Sequence, residues 1–529
     1  VGEMNDTAKK TADAGETRGG KAQADVTALL KSRHTFLWVT SLEESRVERA
    51  LVEAAGAATY KVVLWDCEQG LTNPDGTPVE KIQDPAAALA WLGATSGRVA
   101  LVMRDLHAWV RDPSLLRSLR NAHRRMQGLP RGSARAVIAL TPSGEVPPDL
   151  RGCATVLDWP LPDRAEVAAL LKDTLGALAE GTPAKALAGD AFEAAVDAAV
   201  GLSASEAENC YSLSLVTRKA IDAGRIADDK RRIISRIPGL TWAKPEPRGL
   251  DAVGGLDLLK SWLRERRSAF GVRARAYGLP SPKGALLVGV PGGGKSLTAK
   301  ALASYFEVPL IRCDVGAMRS KFVGDSEANV RRMLQTVESL GRCVLWLDEM
   351  EKALAGGSGP QGDGGVAADA LGTILSWMQD RTCEAFVLAT ANDVRALPPE
   401  LLRKGRFDEV WFVDLPTTAE REAVLRAALS ERGRDASEIE VREVAEATDG
   451  FVGAELAALV PDAMFRAFAD NERAVSTADL LHAARQVTPL SKTANKRIED
   501  LRDWAKGRAR PASSPETTTS GAAGRALDI

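Results

Sequence analysis

At 529 residues the chain is long enough for about two to four domains, and a core of that size needs neither disulfides nor a structural metal. Its 69 basic and 71 acidic residues leave a net charge of −2, which excludes a general electrostatic attraction to nucleic acid or anionic lipid. The six cysteines (Cys67, Cys153, Cys210, Cys313, Cys343 and Cys383) form no C-x-x-C pair and have no histidine at ligand spacing, which argues against zinc and for a reduced, cytoplasmic setting.

Residues 1–23 are polar and rich in Gly, Lys and Asp, so they are expected to form a disordered lead rather than a signal peptide. No apolar stretch approaches the length of a membrane span. The first half, residues 24–235, then alternates strand-like and helix-like segments. Thr35–Ser41 reads as a strand, followed by the loop Ser41-Leu-Glu-Glu-Ser45, which has no glycine or lysine, and by the helical Arg46–Leu51. Further strands are expected within Val99–Asp105 and Ala136–Gly144, followed by Pro147-Pro-Asp-Leu-Arg-Gly152 and the run Val156–Glu166. The proline-rich stretch 236–249, with Trp242 inside it, reads as a semi-rigid linker between the halves.

In the second half four apolar segments, Ala285–Val290, Leu310–Asp314, Cys343–Asp348 and Ala385–Thr390, are separated by helical patterns and end in polar residues. This alternation predicts an α/β fold with a parallel sheet, helices on both faces and a ligand site at the carboxyl ends of the strands. The first segment runs into Gly289-Val-Pro-Gly-Gly-Gly-Lys-Ser296 and then into a helical pattern from Leu297. Glycines at that spacing let backbone N–H groups curl around a polyphosphate at a helix N-terminus, so Pro291, Gly292, Gly293, Gly294, Lys295, Ser296 and Leu297 are expected to bind ATP or GTP. The third segment ends in Asp348-Glu349, where Asp348 is placed to hold Mg²⁺ together with Ser296, and Glu349 to activate a water as general base. Asn392, after the fourth, has the paired donor and acceptor needed to orient that water, although Asn-Asp is also ordinary turn chemistry.

The phosphate loop, the Asp348-Glu349 strand end, the Asn392 turn and the run Leu401-Leu-Arg-Lys-Gly-Arg-Phe-Asp408 together resemble an AAA ATPase. Asp251-Ala-Val-Gly-Gly255 resembles that family's adenine-contacting segment, which implies nucleotide contacts from Val253 and Gly254. Gly450–Glu455 resembles the helix start of its small helical lid. The resemblance implies a large α/β subdomain over 250–415, a lid over 416–490, and a C-terminal helix and disordered tail over 491–529. It also implies a ring, expected to be a hexamer, whose ATP sites lie between subunits, with Arg403 and Arg406 reaching into the neighbour's site as arginine fingers. The alternative for these arginines is an intramolecular ion pair with Asp408 or Glu409. Phe322 and Val323 stand where such rings carry a substrate-gripping pore loop, although a Phe beside a Val is also ordinary packing. The glycine-rich Ala355–Gly365 is expected near the channel as a second loop, and Val366–Ala370 lacks an arginine that many relatives use to coordinate subunits.

The segments of the first half echo the second in order. Pro147-Pro-Asp-Leu-Arg151 parallels Pro398-Pro-Glu-Leu-Leu-Arg403, Val156–Glu166 parallels Phe412–Glu422, and Gly201–Glu206 parallels the lid start. The first half therefore reads as a degenerate copy of the same module that has lost phosphate binding and catalysis; the alternative is an unrelated α/β domain. The layout over about residues 24–490 is similar to the AAA family named from a hypothetical chloroplast reading frame. The implied activity is Mg-dependent ATP hydrolysis that remodels a protein partner, with a non-threading nucleotide switch as the alternative. A membrane role is not expected, and the balanced charge disfavours a nucleic-acid motor.

Overall fold

The computed structural model describes residues 17–515, except 143–145, 180–181, 238, 271, 315–325, 355–363, 382, 396, 398–400, 402 and 404. The chain divides into two compact units at Ile233/Ile234.

The first unit is built on β1 (Phe36–Thr40), β2 (Lys61–Asp66), β3 (Gly70–Thr72), β4 (Pro78–Glu80), β5 (Val99–Arg104), β6 (Arg135–Thr141) and β7 (Thr155–Asp158), in the order β4-β3-β2-β5-β6-β1-β7. The five strands from β2 to β7 pair in parallel, and β3 and β4 add an antiparallel edge. Near-continuous apolar runs such as Phe36-Leu-Trp-Val39 suit a sheet covered on both faces. Phe36 and Trp38 enter one core with Trp65, Leu101 and Met103. Leu37 and Val39, one residue out of phase, enter the other with Val26, Leu30 and Leu51. Four helices, Arg164–Gly176, Gly189–Ala199, Ala204–Arg218 and Ala223–Ile234, follow, with a core of their own that includes Val167, Leu171, Val196 and Tyr211.

The second unit repeats this plan with β8 (Leu240–Ala243), β9 (Gly284–Gly289), β10 (Leu310–Cys313), β11 (Cys343–Leu347), β12 (Ala385–Ala391), β13 (Glu409–Val413) and β14 (Arg510–Pro511), in the order β14-β13-β9-β12-β11-β10-β8. The parallel run β10-β11-β12-β9-β13 has the same second-third-fourth-first-fifth order as β2-β5-β6-β1-β7. Both faces are covered: Leu287, Val344, Phe386 and Trp411 pack beneath the helices Asp257–Arg267 and Lys295–Phe306, and Leu286, Val288, Leu345 and Val387 pack on the opposite side. The helices Thr418–Glu431, Val441–Ala447, Gly453–Ala469 and Thr477–Gln486 form the lid around Leu425, Val444, Leu456 and Leu480. The expected fold, a parallel α/β module with a helical lid preceded by a degenerate copy, is the one found.

Three segments differ from expectation. A helix, Arg18–Lys31, begins inside the expected disordered lead, because Thr17 caps it through its hydroxyl (3.0 Å from the Gly20 N–H) and Val26 and Leu30 bury one face. The expected linker contains β8, which pairs antiparallel with β10 (Trp242 opposite Ile311) and buries Leu240; Trp242 packs on the core of the second unit. The expected disordered tail continues as β14, whose Pro511 is tolerated because it lies on the outermost strand, and Ala512 is fully buried behind it. Among the described residues no helix is long and apolar enough to cross a membrane.

Candidate nucleotide site

A cavity of about 440 Å³ opens at the carboxyl ends of β9, β11 and β12, within the size range of small-molecule sites. It gathers Val253, Gly254, every residue from Pro291 to Leu297, Asp348, Glu349 and Asn392. The lid closes it from the other side with Val424, Ala427, Ala428, Glu431, Gly453, Ala454 and Ala457. Small and apolar lid residues make a slot suited to a flat ring, and the phosphate loop lies at the polar end.

The local chemistry of that loop follows from its glycines. Gly294 (φ 87°) ends it in the left-handed region, and the helix Lys295–Phe306 begins with no side-chain cap, so its first-turn N–H groups are left for an anion. Gly292 (φ 78°) also needs to be glycine for space, since an added Cβ would lie 2.9 Å from Val452 Cγ2. Its carbonyl accepts from the Ala454 N–H (3.0 Å), joining the loop to the lid helix. Gly254 is held against the lid as well: a Cβ there would come within 2.4 Å of the Val424 nitrogen. Lys295 is buried, its ammonium donating to the carbonyls of Gly289 (2.9 Å) and Val290 (2.8 Å). Burial lowers its pKa to about 8, partly opposed by the nearby Glu351 and Glu349 carboxylates.

The acidic groups are fixed by side chains whose part the sequence did not reveal. Asp348 accepts from Thr390 Oγ1 (2.9 Å) and pairs with Arg312 (2.9 Å). Glu349 has a left-handed backbone (φ 49°), an uncommon state for a non-glycine residue that clusters at functional sites. Its N–H donates to Thr390 Oγ1 (3.1 Å), and its carboxylate lies 3.4 Å from Asn392 Nδ2 and pairs with Lys352. Glu351 is buried; one oxygen accepts from the Asn392 N–H (3.0 Å), the other has no hydrogen-bond partner among the described residues, and burial raises its pKa. The only local hint of Glu351 was its position two residues beyond Glu349.

Uncapped N–H groups, a buried ammonium and a crowded glycine cradle fit a polyphosphate. The Ser296 hydroxyl and Asp348 fit a Mg²⁺ that keeps most of its ligands as water and phosphate. Among the described residues no group of three His, Cys, Asp or Glu side chains converges as a fuller metal centre.

Arg403 and Arg406 do not join this cavity. Their loop is tied to the start of β9: Asp408 accepts from the N–H groups of Lys283 (2.7 Å) and Gly284 (3.0 Å), and Lys283 Nζ donates to the Gly405 carbonyl (2.6 Å). That is the end of the strand opposite the phosphate loop, and six residues of strand span roughly 20 Å. Glu409 pairs with Arg510 (3.0 Å). Phe322 and Val323, and most of the Ala355–Gly365 loop, lie outside the described residues.

In the first unit the corresponding region is filled from within. Between β1 and the next helix, Glu44–Ala57, stand three residues, Ser41–Glu43, where the second unit has five, Val290–Gly294. Glu43 is buried, pairs with Arg46 (2.6 Å) and accepts the Ala204 N–H. At the end of β5, Arg104 pairs with Glu48 (2.7 Å) and Asp66 (2.8 Å).

Comparison with known proteins agrees with this architecture. Residues 285–415 match the ATPase family associated with various cellular activities (AAA), and residues 438–482 the AAA+ lid domain. Residues 22–159 and 165–237 match the N-terminal and second domains of SpoVK-like AAA ATPases. The chain is 35% identical over 488 residues to the AAA domain-containing protein ycf46 of Guillardia theta, covering 91% of this chain and 94% of that one. It is 34% identical to the ycf46 protein of Trieres chinensis, over 93% and 99% of the two chains. Similarity to the ATPase family gene 2 protein homolog B of Rattus norvegicus, at 32%, covers 53% of this chain and 38% of that one. This chain is thus a member of the AAA ATPase family, within its ycf46 group.

Proposed function

We propose that the protein is a Mg-dependent ATPase that hydrolyses ATP at the subunit interfaces of a hexameric ring and uses the cycle to remodel a protein partner in the cytoplasm. The observation that carries this reading is the convergence of the uncapped Lys295–Phe306 helix, buried Lys295, Asp348, Glu349 and Asn392 on one cavity. Val253, Gly254 and the lid would enclose the base, the Pro291–Leu297 backbone would cradle the phosphates, and Lys295 would neutralise their charge. Ser296 and Asp348 would hold Mg²⁺, which supplies further neutralisation of the phosphate oxygens. Glu349 would take the proton of the attacking water while the Asn392 amide orients that water.

The placement of Arg403 and Arg406 at the amino end of β9 supports a role in another subunit's site rather than their own. There they would stabilise charge on the transferring phosphoryl group. We assign residues 24–235 to the degenerate module, 250–415 to the large subdomain and 416–490 to the lid. The pore assignment of Phe322 and Val323 belongs to the same proposal. ATP turnover across a dilution series, with particle mass measured on the same samples with and without ATP, tests the reading. Activity per subunit that rises with assembly supports it, and constant turnover in a monomer overturns the ring.

A further inference from the structure

The C-terminal helix Asn495–Ala505 lies beside the nucleotide cavity rather than trailing away from it. Ile498 packs with Val290 of the phosphate loop and Val452 at the start of a lid helix, and Leu501 and Ala505 enter the core on one sheet face. Ion pairs fasten the helix on its outer side, Arg502 to Asp414 (2.8 Å) and Asp500 to Arg395. The chain before it is tied to the lid by the Leu490 N–H donating to Glu455 (2.9 Å). The chain after it is tied down by β14, by Ser513 on Glu420 and by Ser514 on Asp257.

This seating delivers Arg497 to the turn that carries Asn392. Its guanidinium donates to the Asn392 carbonyl (3.2 Å) and lies 3.9 Å from Asp393. On the amino side of the same residue the Asn392 N–H donates to buried Glu351 (3.0 Å). The residue is thus gripped at both backbone groups, one from the helix Met350–Leu354 after β11 and one from the C-terminal helix, and its amide is left facing Glu349 (3.4 Å). A half-exposed arginine on one carbonyl contributes little to global stability. Its value here is directional, because a helix with three buried anchors, Ile498, Leu501 and Ala505, holds it against a single turn.

We propose that Arg497 is a positioning residue of the ATP site, which acts with Glu351 to clamp the Asn392 backbone so that the amide stays aimed at the water-activating carboxylate. The proposal rests on the ATPase reading above. It makes the C-terminal segment part of the hydrolytic machinery and links the site to the lid through Val452 and Glu455.

The test compares Arg497→Ala and Arg497→Lys in the full-length chain, reading kcat, affinity for a non-hydrolysable ATP analogue, melting temperature and amide exchange over residues 390–395. Misplacing a water-orienting group by about 1 Å costs up to roughly a hundredfold, so a fall in kcat of about tenfold to a hundredfold is expected for Arg497→Ala. Analogue affinity should stay within about twofold, melting should be unchanged, exchange should speed up, and Arg497→Lys should recover part of kcat. Unchanged kcat and exchange would overturn the clamp. So would a large loss of affinity at constant kcat, which would mean direct contact with phosphate. If the wild-type chain binds nucleotide but never turns it over, the ATPase reading fails, and faster exchange in Arg497→Ala decides the clamp on its own.

Discussion

The backbone N–H of Ala204 donates to the Glu43 carboxylate, at the place in the first unit where the second has the Ala454 N–H donating to the Gly292 carbonyl. In both units a lid helix is therefore tied by its first turn to the loop after the first parallel strand. The second uses a glycine carbonyl and leaves room for an anion. The first uses a buried carboxylate that also pairs with Arg46, which in turn reaches Glu166 at the start of the first lid helix (3.1 Å).

Removing this carboxylate should loosen the first lid. Glu43→Ala deletes a buried ion pair and a charge-assisted hydrogen bond, an expected loss of about 2–4 kcal/mol. Amide exchange over residues 203–211 should speed up accordingly, while nucleotide affinity of the full chain stays within about twofold. No second nucleotide site should appear, because a three-residue loop cannot wrap a phosphate. A gain of binding stoichiometry from one to two nucleotides would contradict the assignment of the first unit as an inactive copy.

The parallel strands, the phosphate loop and the acids after β11 were legible because each is a local pattern: an apolar run, a glycine spacing, a charge at a strand end. What the sequence hid depends on partners far along the chain. The helix from Arg18 is stabilised by burying Val26 and Leu30, β8 by pairing with β10, and β14 by a free edge on β13. Arg312, Thr390 and Glu351 become site residues only when β10, β11 and β12 lie side by side. Arg497, more than 100 residues from Asn392, carries no local mark at all.

Nucleotide affinity should titrate with Lys295. Burial disfavours the charged ammonium, so its pKa drops from 10.5 to about 8. Between those values the unfolded chain holds more protons than the folded one, so this group makes the nucleotide-free protein more stable as pH rises from 8 to 10.5. Binding a polyphosphate needs the ammonium and runs the opposite way: affinity for a fluorescent ATP analogue should fall by about tenfold from pH 7 to pH 9. Arg in place of Lys295 cannot lose its charge there, and Lys295→Arg should flatten that slope whatever its absolute affinity. A flat wild-type profile would mean that the lysine stays charged throughout.

Subunit mixing separates arginines that act in a neighbour from arginines that act at home. Arg406→Ala retains every group of its own cavity and should bind ATP normally but hydrolyse it at least about a hundredfold more slowly. Lys295→Ala keeps its arginines and loses its phosphate site. Mixed in equal amounts, the two variants form some interfaces with an intact cavity and an intact arginine, so part of the activity should return. Two inactive proteins that remain inactive in mixed assemblies, with assembly verified by mass, would place the action of Arg406 in its own subunit rather than in a neighbour's site, and an Arg406→Ala variant with undiminished turnover would place it outside the mechanism.

Glu349→Gln is the sharpest test of the chemistry. Gln keeps the size of the side chain and an oxygen that can accept from Asn392 Nδ2, and the left-handed backbone at this position is unaffected by the change of one atom. What disappears is the ability to take a proton, worth about a hundredfold to ten-thousandfold in rate. The ion pair with Lys352 is lost as well, but Lys352 is mostly exposed and such pairs contribute little. The variant should therefore bind ATP within about threefold of the wild type, fold normally, and accumulate in the ATP-bound assembled state because the step that empties the site is blocked. Full turnover would remove Glu349 from the mechanism and point to another proton acceptor at the end of β11, where Glu351, held in place by the Asn392 N–H, would be the next to examine.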